Sequence, residues 1–276
     1  MARWFNIGGP CNPADHYMLS ATERLPEVAS LIRKKQYFVV HAPRQCGKTT
    51  AFQALANEIN ARGDAVALYC TVESVQMFTD PAVGVPELAA QVRDAVQCDA
   101  SGAFGGLTDA GLKKMVGDVD LANVVKRTLN VLAECVKKPL VVFFDEVDCL
   151  SEATLVSFLR QLRNGRITCT APWSFPVSIA LIGMRNIRDY KMRVRPDGAS
   201  IGEASPFNVI TKAMTLRLFT EVELRALYRQ HTDETGQVFE EGVRFLARTA
   251  VARQCACALV RGGDPPRGLF PADHGR

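Results

Sequence analysis

The chain has 276 residues, 47% of them hydrophobic and 22% charged, with 33 basic against 29 acidic side chains and a formal charge of +4. This composition describes a globular protein with room for one large domain or one and a half smaller ones, and no apolar run approaches the roughly 20 residues of a membrane span. No long apolar segment follows Arg3, as a signal peptide would require, and the nine cysteines show no paired spacing. They fit thiols of a cytoplasmic protein better than a disulfide framework or a zinc site.

Residues 1–36 read as an N-terminal arm and a leading helix. In "ERLPEVASLIRKK" the proline, Pro26, fits only in the first helical turn. Residues 37–219 read as an α/β core. The run "YFVVHA" is a buried parallel strand, and "TTAFQALANEINARG" sets Phe52, Leu55, Ala56 and Ile59 on one helical face, with Gly63 at the C-cap. Between them lies "APRQCGKTT". Ala42 stands at the first glycine of the pattern G-x-x-x-x-G-K-[ST], followed by Pro43, Arg44, Gln45, Cys46, Gly47, Lys48, Thr49 and Thr50. Alanine fits that first position if its φ is negative. A strand, a glycine-containing loop and a helix in this order aim backbone N–H groups at one anion. Lys48 is placed to reach the outer phosphates of a nucleotide, and Thr49 to ligate Mg²⁺.

The next strand is "DAVALYCTVE", and helices are expected over 86–97 and 121–137. Between those helices, "CDASGAFGGLTDAGLKKMVGD" is glycine-rich and reads as a mobile insertion. "KPLVVFFDEVDCL" follows, an apolar strand ending in Asp145 and Glu146. Asp145 suits the metal side of a nucleotide site, and Glu146 suits the general base that polarises an attacking water. Asp148 is expected to cap the helix "SEATLVSFLRQLRNG". The strand "PVSIALIGM" ends at Arg185-Asn186, where Asn186, with Arg185 as runner-up, can meet the γ-phosphate or the water. The basic stretch "MRNIRDYKMRVRPDGAS" reads as a solvated loop, an arginine finger or a DNA contact. "TLRLF" (215–219) is expected to be the last strand.

Residues 220–247 read as the start of a helical lid. Thr220 and Glu223 form a capping box, and Leu224, Leu227 and Tyr228 the apolar face. Residues 248–276 read as a disordered basic tail. From Val243 onward six arginines face two acids, whereas the preceding 242 residues balance 27 against 27, so the body has no net field to steer nucleic acid.

The segments "GGPCNPADHYMLSATERLPEV", "HAPRQCGKTT", "FFDEVD" and "LIGMRNIRDYK" together resemble the AAA-like ATPase-domain proteins of bacteria and archaea. These belong to the additional-strand, catalytic-glutamate branch of P-loop NTPases, related to AAA+ and STAND ATPases. The similarity spans about residues 5 to 243. It implies a three-layer α/β fold with a mainly parallel five-stranded sheet, ATP and Mg²⁺ as ligands, and a small helical lid. It also places His16, Tyr17 and Met18 near the adenine, though an arm covering an apolar groove explains them equally. It implies an ATP-driven switch read by a protein partner, or a nucleic-acid helper of the origin-recognition or transposition kind, or an ATP-binding protein without turnover. The oligomeric state stays open.

The resemblance leads one to expect a lid helix opening "GQPWLVNALA" where this chain reads "RTAVARQCACA". Codons for 248–258 shifted by one base can encode that peptide. A frameshift near Leu246 to Arg248 is therefore one origin of the tail, and a native basic tail the other. The nucleotide sequence beyond Val243 separates them.

Overall fold

The computed structural model describes residues 3–6, 8–43, 46–184 and 206–239, with the backbone alone for 22, 23, 206 and 207. Arg44, Gln45, Arg185, Asn186, the basic loop and residues 240–276 lie outside the described residues, and so do the expectations that fall on them. The chain divides into two units. One comprises Ala21–Pro43 with Ala51–Leu216, the other Met1–Ser20 with Arg44–Thr50 and Arg217–Arg276.

The first unit is built on five parallel strands: β1 (Tyr37–His41), β2 (Val66–Thr71), β3 (Leu140–Asp145), β4 (Ser178–Gly183) and β5 (Lys212–Thr215). They pair in the order β2-β3-β4-β1-β5, so β4 lies between the loop-bearing strand and the acidic strand. β3 and β4 are buried along their whole length, which explains their unbroken apolar sequences. Successive residues of β3 serve opposite faces. Leu140, Val142 and Phe144 join a cluster with Leu88, Leu129, Leu132, Phe158 and Leu162. Phe143 instead meets Phe52, ring centroids 5.1 Å apart.

Four helices supply that first face: α4 (Pro81–Gln97), α5 (Asp109–Val116), α6 (Val124–Val136) and α7 (Glu152–Thr168). They follow α1 (Ala21–Arg24), α2 (Pro26–Arg33) and α3 (Lys48–Arg62). Pro26 sits in the first turn of α2, and Phe52, Leu55, Ala56 and Ile59 of α3 are all buried. Gly63 ends α3 at φ +75°, its N–H donating to the Ile59 carbonyl.

Several expectations need correction. α4 begins at Pro81, five residues before the expected start, because the Asp80 side chain caps it by accepting from the Ala82 N–H. The glycine-rich stretch is not a mobile insertion. Its α5 is capped by Thr108, and Phe104, Leu112 and Val116 are buried in the main cluster. The half-buried Arg93–Asp109 ion pair at 2.8 Å ties α5 to α4. The last strand is "KAMT", not "TLRLF", since β5 takes its register from Phe38–His41 of β1. The α7 cap is Ser151, whose hydroxyl accepts from the Thr154 N–H, and Asp148 is engaged elsewhere.

Phe158 is fully buried edge-on to Phe144, with centroids 4.9 Å apart. Phe158→Ala is expected to destabilise the protein by about 3–5 kcal/mol, read from urea unfolding followed by circular dichroism.

In the second unit, α8 (Glu221–Thr235) opens with the capping box: Thr220 Oγ1 accepts from the Glu223 N–H, and Glu223 Oε2 accepts from the Thr220 N–H. Leu224 and Leu227 are buried. No described helix is long and apolar enough to cross a membrane.

Candidate functional site

In a parallel sheet the strand ends carry the chemistry, because loops there converge at one edge. In the first unit, His41 of β1 aligns with Gly183 of β4, and the Ala42 N–H donates to the Gly183 carbonyl at 3.1 Å. Phe144 of β3 aligns with Leu181, and Thr71 of β2 with Asp145. Ala42, Pro43, Asp145 and Glu146 therefore share one sheet edge, with β1 and β3 about 10 Å apart across β4. Ala42 is not among the residues of positive φ, so alanine fits there without strain.

Asp145 is 1% exposed. Its Oδ2 accepts from the Tyr69 hydroxyl on β2 at 2.5 Å, and its Oδ1 from the Glu146 N–H at 2.9 Å. Reading the sequence overlooked Tyr69, since its position beside Asp145 depends on the register of β2 on β3. Glu146 has φ 60°, a left-handed conformation that few non-glycine residues adopt. It turns the chain sharply off β3 into the 3₁₀ turn Val147–Cys149. The Cys149 thiol is pushed up to about 12 by burial and then by the carboxylates of Asp148, Glu146 and Glu73, so this turn is electronegative.

The second unit holds the remainder of the loop. Gly47 has φ +81°, where a Cβ would be strained, and α3 starts at the next residue. Lys48 is 5% exposed, while Thr49 and Thr50 are half-buried. Thr50 Oγ1 accepts from the Cys11 N–H of the arm at 3.1 Å.

Tyr17 is buried in a cluster with Phe5 and His231. Its hydroxyl reaches Glu234 Oε2 at 3.3 Å and His231 Nδ1 at 3.2 Å. Burial, followed by the Glu234 charge, raises its pKa. His16 instead meets Trp4 edge-on, and its Nδ1 accepts from the Asn12 N–H. Arg3 donates to Glu234 through Nε and its backbone N–H, which holds the Glu234 carboxyl below its ordinary range. A lowered carboxylate pKa stabilises above the unfolded value, and that contribution is lost as pH falls through the folded value. The Trp4 emission of a Trp173→Phe variant is therefore expected to shift on acidification below about pH 4.5, and Arg3→Ala to remove that step.

Among the described residues no group of three His, Cys, Asp or Glu side chains is arranged to hold a metal. The seven described cysteines are free thiols. The buried Asp145 carboxylate offers oxygen donors, the ligand type that Mg²⁺ prefers. The left-handed Gly47 ahead of a helix N-terminus matches a phosphate.

No protein-family model and no curated protein matches the chain. Solved structures do. The Walker-type ATPase PABY2304 of Pyrococcus abyssi aligns at a TM-score of 0.61 and 12% identity, over 94% of this chain and 72% of that one. The Aeropyrum pernix ORC1 protein, solved in complex with DNA, aligns at 0.53 and 15%, over 89% and 59%. The Aeropyrum pernix ORC2 protein, solved as ADPNP–ADP complexes, aligns at 0.51 and 11%, over 87% and 60%. The chain has the fold of AAA+ P-loop ATPase domains. Its AAA+ fold spans about 60% of the length of the two Aeropyrum proteins. The α/β class, the parallel five-stranded sheet and the AAA+ resemblance read from the sequence agree with this likeness.

Proposed function

We propose that the chain binds Mg²⁺-ATP at the carboxyl edge of its sheet and hydrolyses it to ADP and phosphate. The strand order carries this reading. It sets the loop-bearing β1 and the acid-bearing β3 one strand apart, with both ends at the same edge.

The roles follow from chemistry. The phosphates would be bound by backbone N–H groups of the loop formed by Ala42, Pro43, Arg44, Gln45, Cys46, Gly47, Lys48, Thr49 and Thr50. The Lys48 ammonium neutralises the outer phosphates. The Thr49 hydroxyl and the Asp145 carboxylate hold Mg²⁺, which when bound draws charge from the phosphate oxygens. Glu146 takes the proton of the attacking water. Asn186, or Arg185, would contact the γ-phosphate, and Tyr17 the adenine. Residues 1–36, 37–219, 220–247 and 248–276 then serve as arm, ATPase core, lid and basic tail.

The likeness to ORC1, a protein solved on DNA, favours a second reading in which the ATPase serves a nucleic-acid partner. DNA affinity falling steeply between 50 and 200 mM salt would support it, and no binding at either salt would remove it. The primary reading is tested by ATP titration and phosphate release in Mg²⁺ and in EDTA. Binding with Mg²⁺-dependent release is expected, and the absence of binding contradicts it.

A further inference from the structure

The turn after β3 is held from both sides. On the β2 side, the Val72 N–H donates to the Asp145 carbonyl at 3.0 Å, and the Cys149 thiol to the Val72 carbonyl at 3.2 Å. On the β4 side, Asp148 Oδ1 accepts from the Met184 N–H at 3.1 Å. The same carboxylate fills the space beside Gly183. A Cβ added there would lie 2.4 Å from Asp148 Oδ1 and 3.1 Å from its Cγ. Gly183 lies outside the left-handed region, so this glycine serves space rather than backbone freedom. It closes a fully buried strand, where the backbone has little room to yield.

We infer that Asp148 is a positioning residue for Glu146: seated on Gly183 and bonded to the Met184 N–H, it fixes the 3₁₀ turn to the end of β4. Glu146 needs such support. Its left-handed backbone is strained, and strain of this kind persists only where surrounding contacts over-determine it. Only Val147 separates Glu146 from Asp148, so a turn released from β4 lets the general base drift. A displacement near 1 Å at a reacting group costs roughly 10²-fold in rate. The inference rests on the proposed ATPase reading for its catalytic part, and on the contact alone for its structural part.

Two measurements separate these parts. The first is a thermal cycle of wild type, Gly183→Ala, Asp148→Ala and the double variant. Gly183→Ala is expected to lower Tm in wild type and to have little effect once the carboxylate is gone, because contacting residues are not additive. An equal Tm loss in both backgrounds overturns the contact. The second is steady-state ATP hydrolysis. Asp148→Ala is expected to lower kcat by roughly 10- to 100-fold with KM for ATP little changed. Asp148→Asn, which keeps an oxygen acceptor for Met184, should recover most of the rate. Asp148→Ala added to Glu146→Gln should cost nothing further, since the two act as a unit. An unchanged kcat in Asp148→Ala, or a full loss on top of Glu146→Gln, overturns the positioning role. Asp148→Ser carries the same comparison should the alanine variant not fold. A wild type that binds ATP without hydrolysing it overturns the ATPase reading and the positioning role together, and the thermal cycle still decides the contact.

Discussion

Replacing Glu146 by glutamine is expected to lower the rate of ATP hydrolysis by roughly 10²–10⁴-fold while ATP binding stays near the wild-type value. The substitution keeps the shape of the side chain and removes only its ability to take a proton. Glu146 follows a buried aspartate and is turned off β3 by its own left-handed backbone, so its side chain leaves the sheet edge in a direction set by the fold. Single-turnover phosphate release, paired with titration of ATP, reads rate and binding separately. A fall in affinity equal to the fall in rate would assign Glu146 to binding instead. Equal silence of both proteins with intact binding would make the chain an ATP binder without turnover.

Lys48→Ala is expected to weaken nucleotide binding by about 2–5 kcal/mol, which is roughly 30- to 5,000-fold in Kd. Lys48 is only 5% exposed, and it opens α3 directly behind the left-handed Gly47. A cation in that position offsets phosphate charge where solvent screens poorly. Isothermal titration with ATP and with ADP checks the size. Lys48→Arg is expected to recover little, because a planar fork does not replace a compact ammonium. Unchanged affinity in Lys48→Ala would place the nucleotide elsewhere.

Much of the core was readable because its signals are local. "LVVFF" is a run that only a strand buried on both faces uses, and β3 is buried throughout. Gly63 and Thr220 marked helix ends where the structure has them. The misses are long-range. Asp148 lies three residues before Ser151 and so read as a helix cap, but its partner is the Met184 N–H, 36 residues away. The Tyr69–Asp145 bond likewise needs the β2–β3 register, which no local pattern specifies. β5 slipped because "KAMT" is a weakly apolar edge strand beside the more apolar "TLRLF", and pairing with β1 decided it. The α5 error was avoidable. Thr108 caps the helix, Leu112 and Val116 are four residues apart, and Gly117 ends it at φ +72°, yet the glycine count outweighed these signals.

The central claim is that the loop before α3 and the acidic end of β3 act on one magnesium-bound nucleotide. The most direct test is the gain in ATP affinity on adding Mg²⁺, measured in wild type, Thr49→Ala, Asp145→Asn and the double variant. Each single variant is expected to lose most of that gain, and the double variant to lose no more than either alone. A Mg²⁺ gain that survives in Asp145→Asn, or losses that add across the two sites, would show that the two segments do not share a ligand.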